Sequence, residues 1–173
     1  MDPFARIVAI LRVKQVRFVV IGVAGANYYA RSGGTLFTTQ DQDLFLPSEA
    51  EYLLRAWQAC DEGSLSPWAG DEPLDFPRDL PLARAVVQRT AGTTAMGDGL
   101  QIDFSLVMAG FDFKDVWAGR RSFRVNDVDI PVARLSHIVM SKARAGREKD
   151  RLFLATHEEA LRQLMGEDDA AAV

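Results

Sequence analysis

A buried strand that ends at a glycine is the feature that most constrains the fold of this chain. Residues 17–21 read Arg-Phe-Val-Val-Ile and stop at Gly22, which predicts a short buried strand. Residues 24–30 are predicted to form a short helix, and residues 41–46 a second extended segment. A strand, a glycine turn, a helix and a further strand in this order are typical of an α/β (α+β) fold.

The remaining sequence continues to alternate between helical and extended patterns. Apolar residues at helical spacing predict helices at residues 3–14, 49–59 (with Ser48 as N-cap), 135–145 and 152–164, the last interrupted near Thr156, and a short helix or turn at 111–117. Apolar runs bounded by turn signals predict two hairpins, formed by residues 84–90 with 100–107 and by residues 122–125 with 128–132. Residues 61–81 contain many prolines and acidic groups and are predicted to be a surface loop.

Length and composition limit the domain organisation and the location of the protein. A chain of 173 residues suits one domain, which we expect to cover residues 1–165, followed by a flexible acidic tail at 166–173. The single Cys60 cannot form an intramolecular disulfide, which favours a reducing compartment. The sequence contains no apolar run of about 18 residues and no recognisable signal peptide, so we expect a cytoplasmic protein without a membrane segment. The net charge of -4 argues against a broad basic face for nucleic acid.

The sequence Asp41-Gln42-Asp43 indicates chemistry at the second strand. Residues two apart on a strand point to the same side, so Asp41 and Asp43 present both carboxylates to one place. A divalent cation relieves their repulsion, and Mg²⁺ (or Mn²⁺) suits oxygen ligands of this kind. Asp103 lies on the polar face of its predicted strand and becomes a third carboxylate if the two strands are neighbours. Thr39 lies on the same side as Asp41 and could contact phosphate.

The glycine turn and the aspartate pair together resemble the DNA polymerase beta-like nucleotidyltransferases. Members of that superfamily have an apolar strand ending at glycine, a short helix and then Asp-x-Asp on a strand. The resemblance implies a nucleotidyltransferase-type mixed sheet flanked by helices, with C-terminal helices. It places Gly22 and Val23 at the turn under the nucleotide phosphates, where backbone amides at a helix start would hold them. Val23 and Gln42 depart from the usual residues of the pattern.

The C-terminal part has a second resemblance. The hairpin at 126–132, followed by a helix and the segment Lys-Ala-Arg-Ala-Gly-Arg-Glu-Lys-Asp at 142–150, is similar to the AbiEii-type toxins and related small bacterial nucleotidyltransferases. This resemblance implies that Lys142 and Lys149 approach the triphosphate and that Asp150 orients a basic neighbour. The alternative is a solvated charged face, since cations are favourable at a helix C-terminus.

These observations predict a metal-dependent enzyme that transfers a nucleoside monophosphate from an NTP to a hydroxyl group. Asp41 and Asp43 would bind both metals, and Asp103 would bind the catalytic metal and act as base. The acceptor would be the 3′ end of an RNA such as tRNA, or a protein, and the protein could be a toxin neutralised by a cognate antitoxin. Two alternatives are a catalytically weak binding or regulatory module, suggested by Val23 and Gln42, and a small-molecule nucleotidyltransferase of the aminoglycoside type.

Overall fold

The computed structural model describes residues 1–33, 37 and 41–171. The helices are α1 (Pro3–Val13), α2 (Gly22–Gly33), α3 (Ala50–Glu62), α4 (Leu80–Gln88), α5 (Phe113–Gly119), α6 (Leu135–Ala145), α7 (Glu148–Thr156) and α8 (Glu158–Ala171). The strands are β1 (Val19–Ile21), β2 (Asp41–Phe45), β3 (Ser66–Ala69), β4 (Glu72–Pro73), β5 (Thr93–Gly97), β6 (Leu100–Ser105), β7 (Arg121–Val125) and β8 (Val128–Val132).

The strands of the described residues form one mixed sheet in the order β4-β3-β5-β6-β2-β1-β8-β7. Strand β2 is parallel to β6 and antiparallel to β1, while β1 is parallel to β8. The outer pairs β5–β6 and β7–β8 are antiparallel hairpins. The two strands predicted to carry aspartates are therefore neighbours at the centre of the sheet.

Helices cover the two faces of the sheet in separate groups. Helix α3 contacts α1 and α4, and Trp57 of α3 donates a hydrogen bond to Thr93 Oγ1 on one face. Helices α6 and α8 contact each other and also contact both α2 and α7, and α2 packs on β1 and β2. Alternation along β2 directs Leu44 into the buried core and leaves Asp41 and Asp43 on the face toward α2. The predicted α/β (α+β) class, with a mixed sheet between helices, is confirmed.

Two predictions between residues 61 and 90 are wrong. Residues 84–90 lie mostly in α4, because the Asp79 side chain caps the helix by accepting from the Leu82 backbone N–H. The strand that pairs with β6 is instead β5. The expected loop at 61–81 contains β3 and β4, which extend the sheet edge. Ser48 is not the N-cap of α3, since Glu49 occupies that position without a side-chain hydrogen bond.

The C-terminal segment is helical. Helix α8 continues through residue 166, where the tail was expected to begin, as far as Ala171, and Asp168 within it is buried, with its Oδ1 accepting from Arg121 Nε at 2.9 Å. The break near Thr156 is confirmed, since α7 ends there and α8 begins at Glu158. Within the described ranges, the helices are all too short or too polar to cross a membrane.

Candidate active site

Two parallel strands bring the predicted carboxylates to one cavity. In the register of β2 and β6, Asp43 lies directly opposite Asp103, and Asp41 lies opposite Gln101. Side chains directly opposite each other on neighbouring strands lie within contact distance. Asp41, Asp43 and Asp103 all line a cavity of about 600 Å³ on the α2 side of the sheet.

Asp43 is the carboxyl group that its surroundings perturb most clearly. Burial, and then the neighbouring Asp103 carboxylate, raise the pKa of Asp43 to about 6. Asp41 adds to this rise, while the Lys142 ammonium group opposes it. Two carboxylates in contact without enough positive charge favour binding of a proton or a cation.

Asp103 is held in place by polar neighbours on its own hairpin. Its Oδ1 accepts from Thr94 Oγ1 at 2.9 Å and from Gln101 Nε2 at 3.2 Å. These bonds fix the orientation of the carboxylate. Thr94 was not predicted to lie in the site, because it could be placed beside Asp103 only once β5 was assigned to residues 93–97.

Gly22 joins the end of β1 to the start of α2 directly against the Asp43 side chain. Its φ is +68°, and a Cβ added there would lie 2.5 Å from Asp43 Oδ2. Both the backbone conformation and the space therefore require glycine. The N-terminus of α2, with its free backbone N–H groups, begins at this edge of the cavity, and such ends favour anions.

The opposite wall of the cavity is basic and comes from the α6–α7 corner. Lys142 Nζ lies 3.5 Å from Asp150 Oδ1 and 5.0 Å from the centre of the Phe153 ring. Burial, opposed by the Asp150 carboxylate, lowers the pKa of the Lys142 ammonium group. Arg147 Nε donates to Asp150 Oδ2 at 2.7 Å, and Asp150 is 1% exposed. Asp150 thus holds two cations at the rim.

The structure gives a position to every predicted site residue except Thr39. Gly22, Val23, Lys142 and Lys149 line the same cavity as the three aspartates. Thr39 lies outside the described residues. Gln42 points to the other face of the sheet opposite Ile102, away from this cavity, and its Oε1 is buried without a hydrogen-bond partner among the described residues. Additional lining residues that sequence analysis did not assign to the site are Ser105, Ser141 and Arg147.

The carboxylates fit a divalent cation that takes few protein ligands. Asp43 and Asp103 are in contact, and burial together with the neighbouring Asp103 carboxylate raises the pKa of Asp43. Within residues 1–33, 37 and 41–171, no group of three or more His, Cys, Asp or Glu side chains is arranged to hold a metal by itself. Mg²⁺ characteristically binds through one or two carboxylates and completes its shell with water and phosphate oxygens. The residues present therefore suit a cation bound together with a phosphate ligand.

Comparisons with known proteins agree with this fold. No family model and no curated protein sequence matches the chain. A crystal structure of a "putative nucleotidyltransferase" from Thermotoga maritima is similar, with a TM-score of 0.55 and 16% sequence identity, over 95% of this chain and 91% of that one. The likeness shows that this chain has a nucleotidyltransferase-like fold.

Proposed function

We propose that the protein is a nucleotidyltransferase that moves a nucleoside monophosphate from an NTP to a hydroxyl acceptor. The observation that carries the proposal is the pairing of Asp43 with Asp103 across from Lys142 in one cavity. An acidic wall and a basic wall that face each other suit a metal–triphosphate complex. A volume of about 600 Å³ lies in the range of small-molecule sites.

Each wall has a separate task in this proposal. The N-terminus of α2 at Gly22 and Val23, together with Lys142 and Lys149, would hold the triphosphate. The acceptor hydroxyl would lose its proton to Asp103 as its oxygen attacks the α-phosphorus. The bond from that phosphorus to the bridging oxygen would break, and pyrophosphate would leave.

A divalent cation would contribute charge neutralisation at the aspartates. Asp41, Asp43 and Asp103 are the residues that would hold Mg²⁺ or Mn²⁺. When bound there, the cation would lower the pKa of an attacking hydroxyl and neutralise the triphosphate.

The identity of the acceptor rests on the sequence resemblance. The likeness of residues 126–150 to AbiEii-type toxins supports the 3′ end of an RNA such as tRNA, or a protein side chain, as acceptor. It also supports a role as the toxin of a bacterial toxin–antitoxin pair, acting in the cytoplasm and neutralised by a cognate antitoxin.

The test is transfer of label from each of the four NTPs, labelled at the α-phosphate, with Mg²⁺ present. Three acceptors are offered separately: total RNA, RNA-free lysate protein and an aminoglycoside. Label should enter RNA or protein, and this product should be lost in Asp43→Asn and Asp103→Asn. Asp98→Asn is the matched control, because Asp98 is an exposed carboxylate in the β5–β6 turn.

The other results identify the alternatives. Label in the aminoglycoside alone indicates a small-molecule enzyme. Absence of any product, with Mg²⁺-dependent NTP binding that is lost in Asp41→Ala/Asp43→Ala, indicates a catalytically weak binding module. Absence of both product and calorimetric NTP binding rules out the proposed function.

A further inference from the structure

A second cavity, of about 710 Å³, lies at the other end of β1. Phe18, just before β1, lines it, whereas Ile21, at the end of β1, lines the carboxylate cavity. The two positions are separated by about 10 Å along an extended chain. The second cavity is formed by segments from α1, α3, α5, β7 and β8, and we call it the arginine cavity after Arg12, Arg17, Arg55, Arg120 and Arg121 in its lining.

The positive charge of the arginine cavity is poorly neutralised by protein groups. Asp129 is the one acidic residue among its described lining, and that side chain accepts from Arg124, outside the cavity, at 2.9 Å. Arg121 is ion-paired with Asp168. Among described residues, no carboxylate lies within ion-pair distance of the four other arginines. Because the whole chain has a net charge of -4, this accumulation is local.

Aromatic rings hold several of these guanidinium groups without neutralising them. The Arg120 guanidinium lies 3.7 Å from the centre of the Trp117 ring, and that of Arg17 lies 5.5 Å from it. Arg55 lies 4.9 Å from the centre of the Tyr52 ring. Stacking on a ring orders a guanidinium group and leaves its N–H groups available at the edge. The cations are therefore arranged before any ligand arrives.

One N–H group in this lining also lacks a partner. Arg55 Nε is buried and makes no hydrogen bond in the described part of the chain. A buried donor without an acceptor is costly, and a charged donor more so. Anionic oxygen atoms in the cavity would relieve the repulsion among the arginines.

We propose that the arginine cavity binds a ligand with at least two adjacent phosphate groups. Four guanidinium groups without a carboxylate partner exceed what one phosphate dianion needs, and Arg is the residue best suited to bidentate phosphate recognition. A nucleic-acid strand and a nucleoside polyphosphate both carry adjacent phosphates. The site is separate from the aspartates, so the proposal stands independently of the transferase activity.

Omitting divalent cations distinguishes the two cavities experimentally. With EDTA present, the aspartates of the first cavity lack the cation that would let them bind a phosphate ligand, whereas the arginine cavity needs no metal. The probes are pyrophosphate and ATP by calorimetry and a fluorescein-labelled ten-residue oligouridylate by anisotropy, in low-salt buffer. The wild type should bind at least one probe, and Arg17→Ala/Arg120→Ala should bind it at least about tenfold more weakly. Affinity should also fall as salt is added.

Matched variants separate this site from general electrostatics. Arg84→Ala/Arg89→Ala removes the same charge from two exposed positions that line neither cavity, and it should keep wild-type affinity. Asp43→Asn should also bind normally, which would show independence from the aspartates. Because Arg17 and Arg120 are exposed, their replacement should preserve folding; charge reversal at one exposed position, Arg17→Glu, provides a second test of the same loss.

Each outcome of the binding series is decisive. Arginine-dependent binding of the oligonucleotide alone supports the proposal with a nucleic-acid strand as the ligand. Arginine-dependent binding of ATP or pyrophosphate supports it with a nucleoside polyphosphate as the ligand. The proposal is overturned if the wild type binds none of the probes without metal, or if both double variants lose affinity equally.

Discussion

At the scale of single residues, Asp43 links the electrostatics of the site to the stability of the protein. Burial and the Asp103 carboxylate raise its pKa from 3.8 to about 6. Between these values the folded protein holds a proton that the unfolded chain has released. The contribution of Asp43 to stability therefore falls as the pH rises through this window, and the penalty is complete above about pH 6.

Replacing Asp43 by asparagine should remove this penalty. In urea unfolding with EDTA, the stability of Asp43→Asn relative to wild type should increase by about 1–3 kcal/mol between pH 4 and pH 8. Asp71→Asn, which removes an exposed carboxylate between β3 and β4, is the control. A relative stability that is the same at both pH values would contradict the assigned burial of Asp43.

Gly22 combines a left-handed backbone conformation with direct contact to the candidate site. Gly22→Ala should lower the free energy of unfolding by about 1–2 kcal/mol, because a side chain is strained at φ +68°. It should also displace the Asp43 carboxylate, since the added Cβ would lie 2.5 Å from Oδ2. We expect Mg²⁺-dependent NTP binding to weaken by more than about tenfold, as measured by calorimetry.

Gly70 provides the control for this substitution. Its φ is +62°, but an added Cβ would meet no atom within 4 Å. Gly70→Ala should therefore have a similar backbone cost and leave NTP binding unchanged. Equal effects of the two variants on binding would show that Gly22 acts through backbone strain alone.

At the scale of elements, the corner between α6 and α7 forms the basic wall of the candidate site. Gly146 ends α6 in the left-handed conformation, with φ +62°, and α7 begins at Glu148. Asp150 lies in the first turn of α7 and forms ion pairs with both Lys142 and Arg147. The ion pairs therefore connect the end of one helix to the start of the next.

Removing the charge of Asp150 should loosen this corner. Asp150→Asn should lower the free energy of unfolding by about 2–4 kcal/mol, because it leaves the largely buried Lys142 ammonium group without its counter-ion. The KM for NTP should rise by a larger factor than the factor by which kcat falls, since Asp150 positions Lys142 and does not contact the reacting atoms. Glu148→Gln, an exposed change on the same helix turn, should alter neither quantity. A fall in kcat at unchanged KM would indicate a different role for Asp150.

Local signals explain which elements could be predicted from sequence. The glycine after β1, the Asn126-Asp127 turn and Gly146 are strong local signals, and the elements beside them were predicted correctly. The apolar run at 84–90 suits either a strand or a helix. The helix is favoured by the Asp79 cap, which is visible in the sequence, and by apolar positions that pack on α3, which are known only from the fold. Long-range packing thus overrides the local β preference there.

At the scale of the whole molecule, the candidate site depends on pairing between distant segments. The two aspartates of β2 predicted a site from sequence. Asp103 joins that site only because β6 lies beside β2 in the register that places Asp103 opposite Asp43. Thr94 could not be assigned from its local sequence, because its contact with Asp103 depends on the pairing of β5 with β6. The arginine cavity was likewise not predictable, since its cations come from α1, α3, β7 and two connecting segments.

The C-terminal helix packs on the folded core, although its composition is that of a solvated segment. Residues 167–169 are acidic and resemble a solvated tail, yet Asp168 is 7% exposed in its side chain and is paired with Arg121. Arg134 Nε lies 3.7 Å from the same carboxylate. Two arginines from β7 and from the start of α6 therefore bind α8 to the sheet.

Asp168→Ala should consequently destabilise the whole molecule. We expect a loss of about 2–3 kcal/mol in the free energy of unfolding by urea, because two cations near the sheet lose their buried counter-ion. Asp169→Ala is the matched control, since Asp169 is 59% exposed and also pairs with Arg134. An exposed pair contributes little, so this variant should lose no more than about 1 kcal/mol. If both variants unfold like the wild type, residues 166–171 do not stabilise the fold, and the flexible tail expected from composition would be the better description of this segment.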